Sequence, residues 1–256
     1  MLDRLFRQWM DDPDVGHGFF VPIVAGYIAW QRKDELLGGR VATNWWGLAI
    51  VVYGSLQMLV GTLGAELFLS RTAFVITVIG SILFLGGTRA VRTLAFPLFL
   101  LFFMIPIPAL VFNQITFPLQ LLASELAESA LFLIGIPVLR EGNVLELPSQ
   151  TLSVVEACSG IRSLLSLSFL SLVYAHFFDS RKWMMVVLLI ASIPTAIIAN
   201  AGRVTLTGIL SEYDPELAEG FFHSVEGWIV FLVSLAILVV IHQIISVTYA
   251  RIRGGR

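Results

Sequence analysis

A chain of 256 residues with 57% hydrophobic and 13% charged residues, and a mean hydropathy of +0.86, lacks about half the charge of an ordinary soluble domain. A soluble globular protein is excluded, and a formal net charge of −2 gives no reason to expect a nucleic-acid partner. The single cysteine, Cys158, rules out an intramolecular disulfide and a cysteine-based metal site; no metal or other cofactor is expected for the thiol chemistry read below.

The opening stretch MLDRLFRQWMDDPDVGHG is mixed and acidic rather than basic and then apolar, so no cleavable signal peptide is expected. Apolar blocks follow from Gly18 to Trp30, Trp45 to Leu63, Thr72 to Leu85, Leu94 to Ile107, Leu164 to Phe178, Trp183 to Ala199 and Val225 to Val247. A bilayer core takes about 20 helical residues, so these predict an all-α polytopic membrane protein with about seven crossings, the first and third somewhat short. Between the fourth and fifth, Phe112 to Ile134 carries Glu125 and Glu128 three apart, on one helix face. Two carboxylates in hydrocarbon are costly, so an amphipathic helix at the interface is expected there. Gly142-Asn143, between short alternating runs, predicts a small extracytoplasmic β-hairpin that delivers the chain to Cys158. SEYDPELAEG is acidic and turn-rich, and reads as a surface loop with a short helix. A single integral-membrane domain over residues 1–256 is expected, with no soluble C-terminal extension beyond RIRGGR.

Charge sets the expected orientation. With the N-terminus outside and Phe112 to Ile134 not crossing, the inner segments hold Arg32, Lys33, Arg40, Arg89, Arg92, Arg181, Lys182, Arg251, Arg253 and Arg256. These are ten of the 16 basic residues, set against only Asp34, Glu35 and Asp179 of the 18 acidic ones. Basic residues near helix ends mark the cytoplasmic side, so the N-terminus is expected outside and the C-terminus inside. The hairpin, NAGRVTLTG and EGFFHSVEG then share the outer side.

Three residues on that side can do chemistry. A lone cysteine is ordinarily a small buried hydrophobe, but Cys158 stands among Glu156, Ser159, Gly160 and Arg162 at an expected helix N-terminus. The helix dipole and a cation at i+4 both favour its thiolate. Arg203, three residues after Asn200, reads either as an arginine snorkelling from a helix end or as a fixed cation in a site. His223 reads either as a structural interfacial histidine or as a base oriented by Glu226 at i+3. A thiol, a base and a fixed cation together are the minimum set for acyl transfer through a thioester.

The order EACSGIR, NAGR and a histidine before the last helix resembles the exosortases, the bacterial branch of the exosortase/archaeosortase family, and the likeness extends over most of the chain. The resemblance implies a Cys-Arg-His transpeptidase of the bacterial inner membrane, with chemistry like that of sortases on an unrelated fold. It implies Cys158 as nucleophile, Arg203 as catalytic arginine and His223 as catalytic histidine, with Arg162 and Asn200 on family motif positions. His17, in VGHG, matches a recurrent early position and would line the same outer face. The implied partners are exported proteins ending in a short motif (Pro-Glu-Pro in the commonest type), a membrane helix and a basic tail, together with an amine acceptor of unknown identity and membrane lipid. Two other readings stay open: a non-enzymatic transporter or assembly factor for envelope polysaccharide, and an intramembrane protease that uses water only.

Overall fold

The computed structural model describes residues 2–38, 42–154, 160–213 and 220–254. It is helical apart from one small sheet and divides into two compact units, residues 1–109 and 110–256. Five helices are long and apolar enough to cross a membrane. This is a multi-pass membrane protein: four of the seven expected crossings fall on these long helices, the blocks from Leu94 and Leu164 fall on shorter apolar helices and the block from Gly18 on a helix of 12 residues, while the fifth long helix covers Phe112 to Ile134, which was expected not to cross.

The first unit opens with helix α1 (Leu2–Asp11), which the mixed composition of the N-terminus concealed, and a 3-10 segment, Pro13–Phe19. Helices α2 (Phe20–Gln31) and α3 (Lys33–Leu37) follow. Helix α2 has only 12 residues, about 18 Å, so the block from Gly18 to Trp30 falls short of a full bilayer core. Helices α4 (Trp45–Leu63) and α5 (Leu67–Thr93) form an antiparallel pair. Both begin on side-chain caps, Asn44 accepting from Trp46 N at 3.0 Å and Glu66 from Leu69 N at 2.9 Å. Gly47, Gly54 and Gly61 recur every seventh residue on the buried stripe of α4. A Cβ at Gly47 would strike the backbone of Phe84, and one at Gly61 would lie 2.7 Å from Ser70 Oγ. The stripe lets two backbones approach closely, as membrane helices without a hydrophobic drive require. Helix α5 extends well beyond the expected Thr72 to Leu85 and breaks at Gly87, whose φ of 70° favours glycine. The fourth block resolves into the short α6 (Ala95–Leu100) and a 3-10 turn, Leu101–Met104.

The second unit opens with α7 (Ala109–Ile134), continuous through Pro118. At 26 residues it is long and apolar enough to cross, so length alone does not mark it as the interfacial helix expected from its carboxylates. The hairpin forms at the expected turn: β1 (Leu139–Glu141) pairs antiparallel with β2 (Val144–Glu146) across Gly142, at φ 66°. A third strand, β3 (Thr151–Ser153), adds to β2, with Leu145 opposite Leu152. Helices α8 (Gly160–Phe178), α9 (Lys182–Tyr213) and α10 (Gly220–Gly254) then run down, up and down as a three-helix bundle.

Buried side chains layer this unit. Leu131 of α7, Leu145, Leu147, Leu152 and Val154 of the sheet region and Val204 of α9 close one end. Leu167, Ala196 and Leu238 fill the middle, and Ala175, Met184 and Leu188 the other end. Polar contacts fasten the sheet to α7: Asn143 Nδ2 donates to Gln120 Oε1 at 3.2 Å, Ser124 Oγ to Gly142 O at 3.1 Å and Arg140 Nε to Glu128 Oε2 at 2.7 Å. Ser149 N donates to Glu212 Oε1 at 3.0 Å and ties the same cap to the end of α9.

Candidate active site

Helix α9 carries the site's best-described residues. Lys182 and Arg203 are 21 positions apart, about 31 Å along the axis, close to the thickness of a hydrocarbon core. Arg203 therefore stands one bilayer thickness from the basic turn, and α9 continues for ten more residues beneath the sheet. Asn200, one turn before Arg203, is buried. It lines a recess with Ala196 and Ile197 of α9, Leu164 of α8 and Leu119 of α7.

The Arg203 guanidinium lies against Gly227 of α10. A Cβ on that glycine would sit 3.3 Å from Cζ and 3.4 Å from each terminal nitrogen. His223 is four residues, one helical turn, before Gly227, so the two positions share a face of α10. Arg162 occupies the first turn of α8, two residues before Leu164, which reaches the recess with Asn200. The starts of α8 and α10 thus meet α9 around Asn200 and Arg203. Cys158 and Glu156 lie outside the described residues, between the buried Val154 of the cap and Gly160, where α8 begins. Arg203 meets α10 at its eighth residue and Asn200 meets α8 at its fifth, and a fixed cation in such a setting can stabilise an anion nearby. Among the described residues no group of histidines, cysteines and carboxylates could hold a metal ion.

His17 belongs to the first unit. Its imidazole hydrogen-bonds the backbone of Phe103, and Trp9 Nε1 donates to Met104 O at 3.0 Å. Both side chains thereby tie the N-terminal segment to the 3-10 turn after α6. Gly18 makes this possible, because a Cβ there would strike the Trp9 indole. Burial pushes the His17 imidazole below its usual pKa, partly offset by the Phe103 contact.

Two polar features had no signal in the sequence. Arg71, in the second turn of α5, is 3% exposed, and its Nε has no hydrogen-bond partner among the described residues. At the far end of the three-helix bundle, Asp179 accepts from Arg181 Nε at 2.8 Å and meets His242 Nε2 at 2.9 Å, while His242 Nδ1 and the Tyr174 hydroxyl share a hydrogen bond of 3.0 Å. Arg181 lies over the rings of Trp183 and Tyr249 and bonds Ser246.

A model of the transmembrane exosortase family matches residues 9–240, and the chain belongs to that family. Its members are membrane proteins that process sorting signals, generally as cysteine proteases or transpeptidases. Comparison with curated proteins and with solved structures gives no match.

Proposed function

We propose that this protein is a cysteine transpeptidase of the bacterial inner membrane, acting on exported proteins that end in a short motif, a membrane helix and a basic tail. The observation that carries the reading is the seating of the Arg203 guanidinium against α10 at Gly227, one turn after position 223, with the start of α8 at the same end of the bundle. The substrate helix lies against the bundle and presents its motif at the cap. The Cys158 thiolate attacks the scissile carbonyl, and Arg203 donates to the oxyanion that forms. His223 as imidazolium protonates the departing amine, leaving a thioacyl enzyme. An amine acceptor then takes the acyl group and restores the thiol; water does so when no amine arrives.

The cap supports an interfacial place for the second half of α7. From Gln120 onward α7 is fastened to the polar sheet, and Glu128 is paired with Arg140. Ala109 to Leu119 alone span about 16 Å, half a hydrocarbon core. On that reading α7 does not cross, and the basic turn at Arg181-Lys182 faces the cytoplasm as the charge distribution requires.

The test is a reporter protein ending in motif, helix and arginine-rich tail, co-expressed with this chain and followed by mass. Loss of the tail with the native enzyme but not with Cys158→Ala, Arg203→Ala or His223→Ala is the expected result, and the product mass identifies the acceptor. A reporter that stays intact with every motif tried sinks the catalytic reading and leaves the transport or assembly role.

A further inference from the structure

We propose that Gly227 is a positioning residue that seats the Arg203 guanidinium flat against α10; its catalytic consequence rests on the reading above. Three nearly equal distances carry the orientation. The Cβ position of Gly227 is 3.3 Å from Cζ of Arg203, 3.4 Å from Nη1 and 3.4 Å from Nη2. An edge-on approach would bring both nitrogens well inside the carbon. Near-equality means that the glycine faces the plane of the guanidinium. The N–H bonds lie in that plane, so the donors are directed sideways along α10 rather than into its backbone.

Glycine in a helix interior is disfavoured relative to alanine, so its presence here calls for a reason that open space does not supply. Gly202, beside Arg203 on α9, has nothing within 4 Å of its Cβ position. At Gly227 any side chain must displace the cation. An alanine methyl requires a shift of a few tenths of an ångström, and a branched valine takes the volume that the guanidinium occupies. A donor that stabilises a developing oxyanion works by being in place beforehand. Gly227 therefore sets both the distance of the Arg203 donors from position 223 and the plane in which they lie.

The test uses the full-length protein in detergent or nanodiscs, with Gly227→Ala, Gly227→Val and Gly202→Ala. In the reporter assay Gly227→Val is expected to lower kcat about 100-fold with KM changed less than about threefold, as a misplaced catalytic group does. Gly227→Ala falls between, and Gly202→Ala matches the native enzyme. Thermal unfolding supplies a readout that does not depend on activity. Gly227→Val should lower Tm in the native background and lose most of that effect in Arg203→Ala, where the cation it collides with is gone. Equal Tm losses in both backgrounds overturn the seating, and a native kcat in folded Gly227→Val overturns the positioning role. If the native enzyme cleaves no reporter, the catalytic reading fails by itself, and the Tm cycle still decides whether Gly227 seats Arg203.

Discussion

The two ends of the three-helix bundle hold comparable chemical groups in opposite circumstances. At the end away from the cap, Asp179, Arg181, His242 and Tyr174 are bonded to one another, and the carboxylate is buried under two cationic or polar partners. At the cap end, the Arg203 guanidinium turns its face to a glycine, and the starts of two helices converge beside it. A histidine and a carboxylate in hydrogen-bond contact are commonly taken for catalytic machinery, yet here both carboxylate oxygens and both ring nitrogens bond groups that hold the α8–α9 turn onto α10. Saturation marks the far cluster as a fastening. At the cap end the contact with Gly227 sets the plane of the cation.

Substitutions at the two ends should separate these roles. The largest effect belongs to Arg203→Lys, which keeps the charge but not the planar fork. Cleavage in the reporter assay should fall by about 100- to 1,000-fold, with little change in Tm. Asp179→Ala should do the opposite. It strands His242 and Arg181, and stability should fall by about 2 kcal/mol, less than for a fully enclosed pair because Arg181 is partly exposed. Activity per folded molecule should be retained; a Tm equal to that of the native protein would remove the fastening role. Glu128→Gln loosens only the sheet from α7, so a smaller Tm loss is expected, with faster proteolytic cutting near Gly142 as its signature.

The smallest effect is one of pH. Hydrogen bonds from Arg181, then His242, hold the Asp179 carboxyl well below the usual carboxylate range, against the opposing pull of burial. Its contribution is present above the ordinary carboxylate pKa and is lost only as pH falls through the depressed folded value. The Tm difference between native protein and Asp179→Asn should therefore stay constant from about pH 8 to 5. His17 behaves differently. Burial lowers its pKa from 6.5, so the fold disfavours the protonated ring, and stability should decline as pH drops below about that value. His17→Gln should flatten this decline in a pH series of unfolding curves.

Much of the fold was legible because apolar blocks and helices coincide in a membrane protein. Trp45 to Leu63 was read to the residue, since Asn44 caps one end and Gly64 follows the other. The hairpin was legible from Gly142-Asn143, whereas β3 was not, because Thr151–Ser153 is too short to carry an alternating pattern. The sixth block was placed correctly but ended too early. Arg203, Thr205 and Thr207 lower the local hydropathy, while the helix runs on because Val204 and Gly208 pack on Leu131 and Leu147. The candidate residues were legible only as types in an order. The approach of Arg203 to Gly227 was not, because it depends on how two long helices cross, although a glycine one turn after His223 was available as a hint.

Helix α9 is a single rod of 32 residues, about 48 Å, fixed at its start by the basic turn and carrying Arg203 about 31 Å away. Such a rod behaves as a depth gauge. In a bilayer thicker than the local average the guanidinium sinks below the headgroups, and in a thinner one it stands clear, unless the rod tilts to compensate. Lipid chain length thus becomes a variable that sets the depth of Arg203. On the proposed function, cleavage of the reporter should shift with acyl length in reconstituted vesicles.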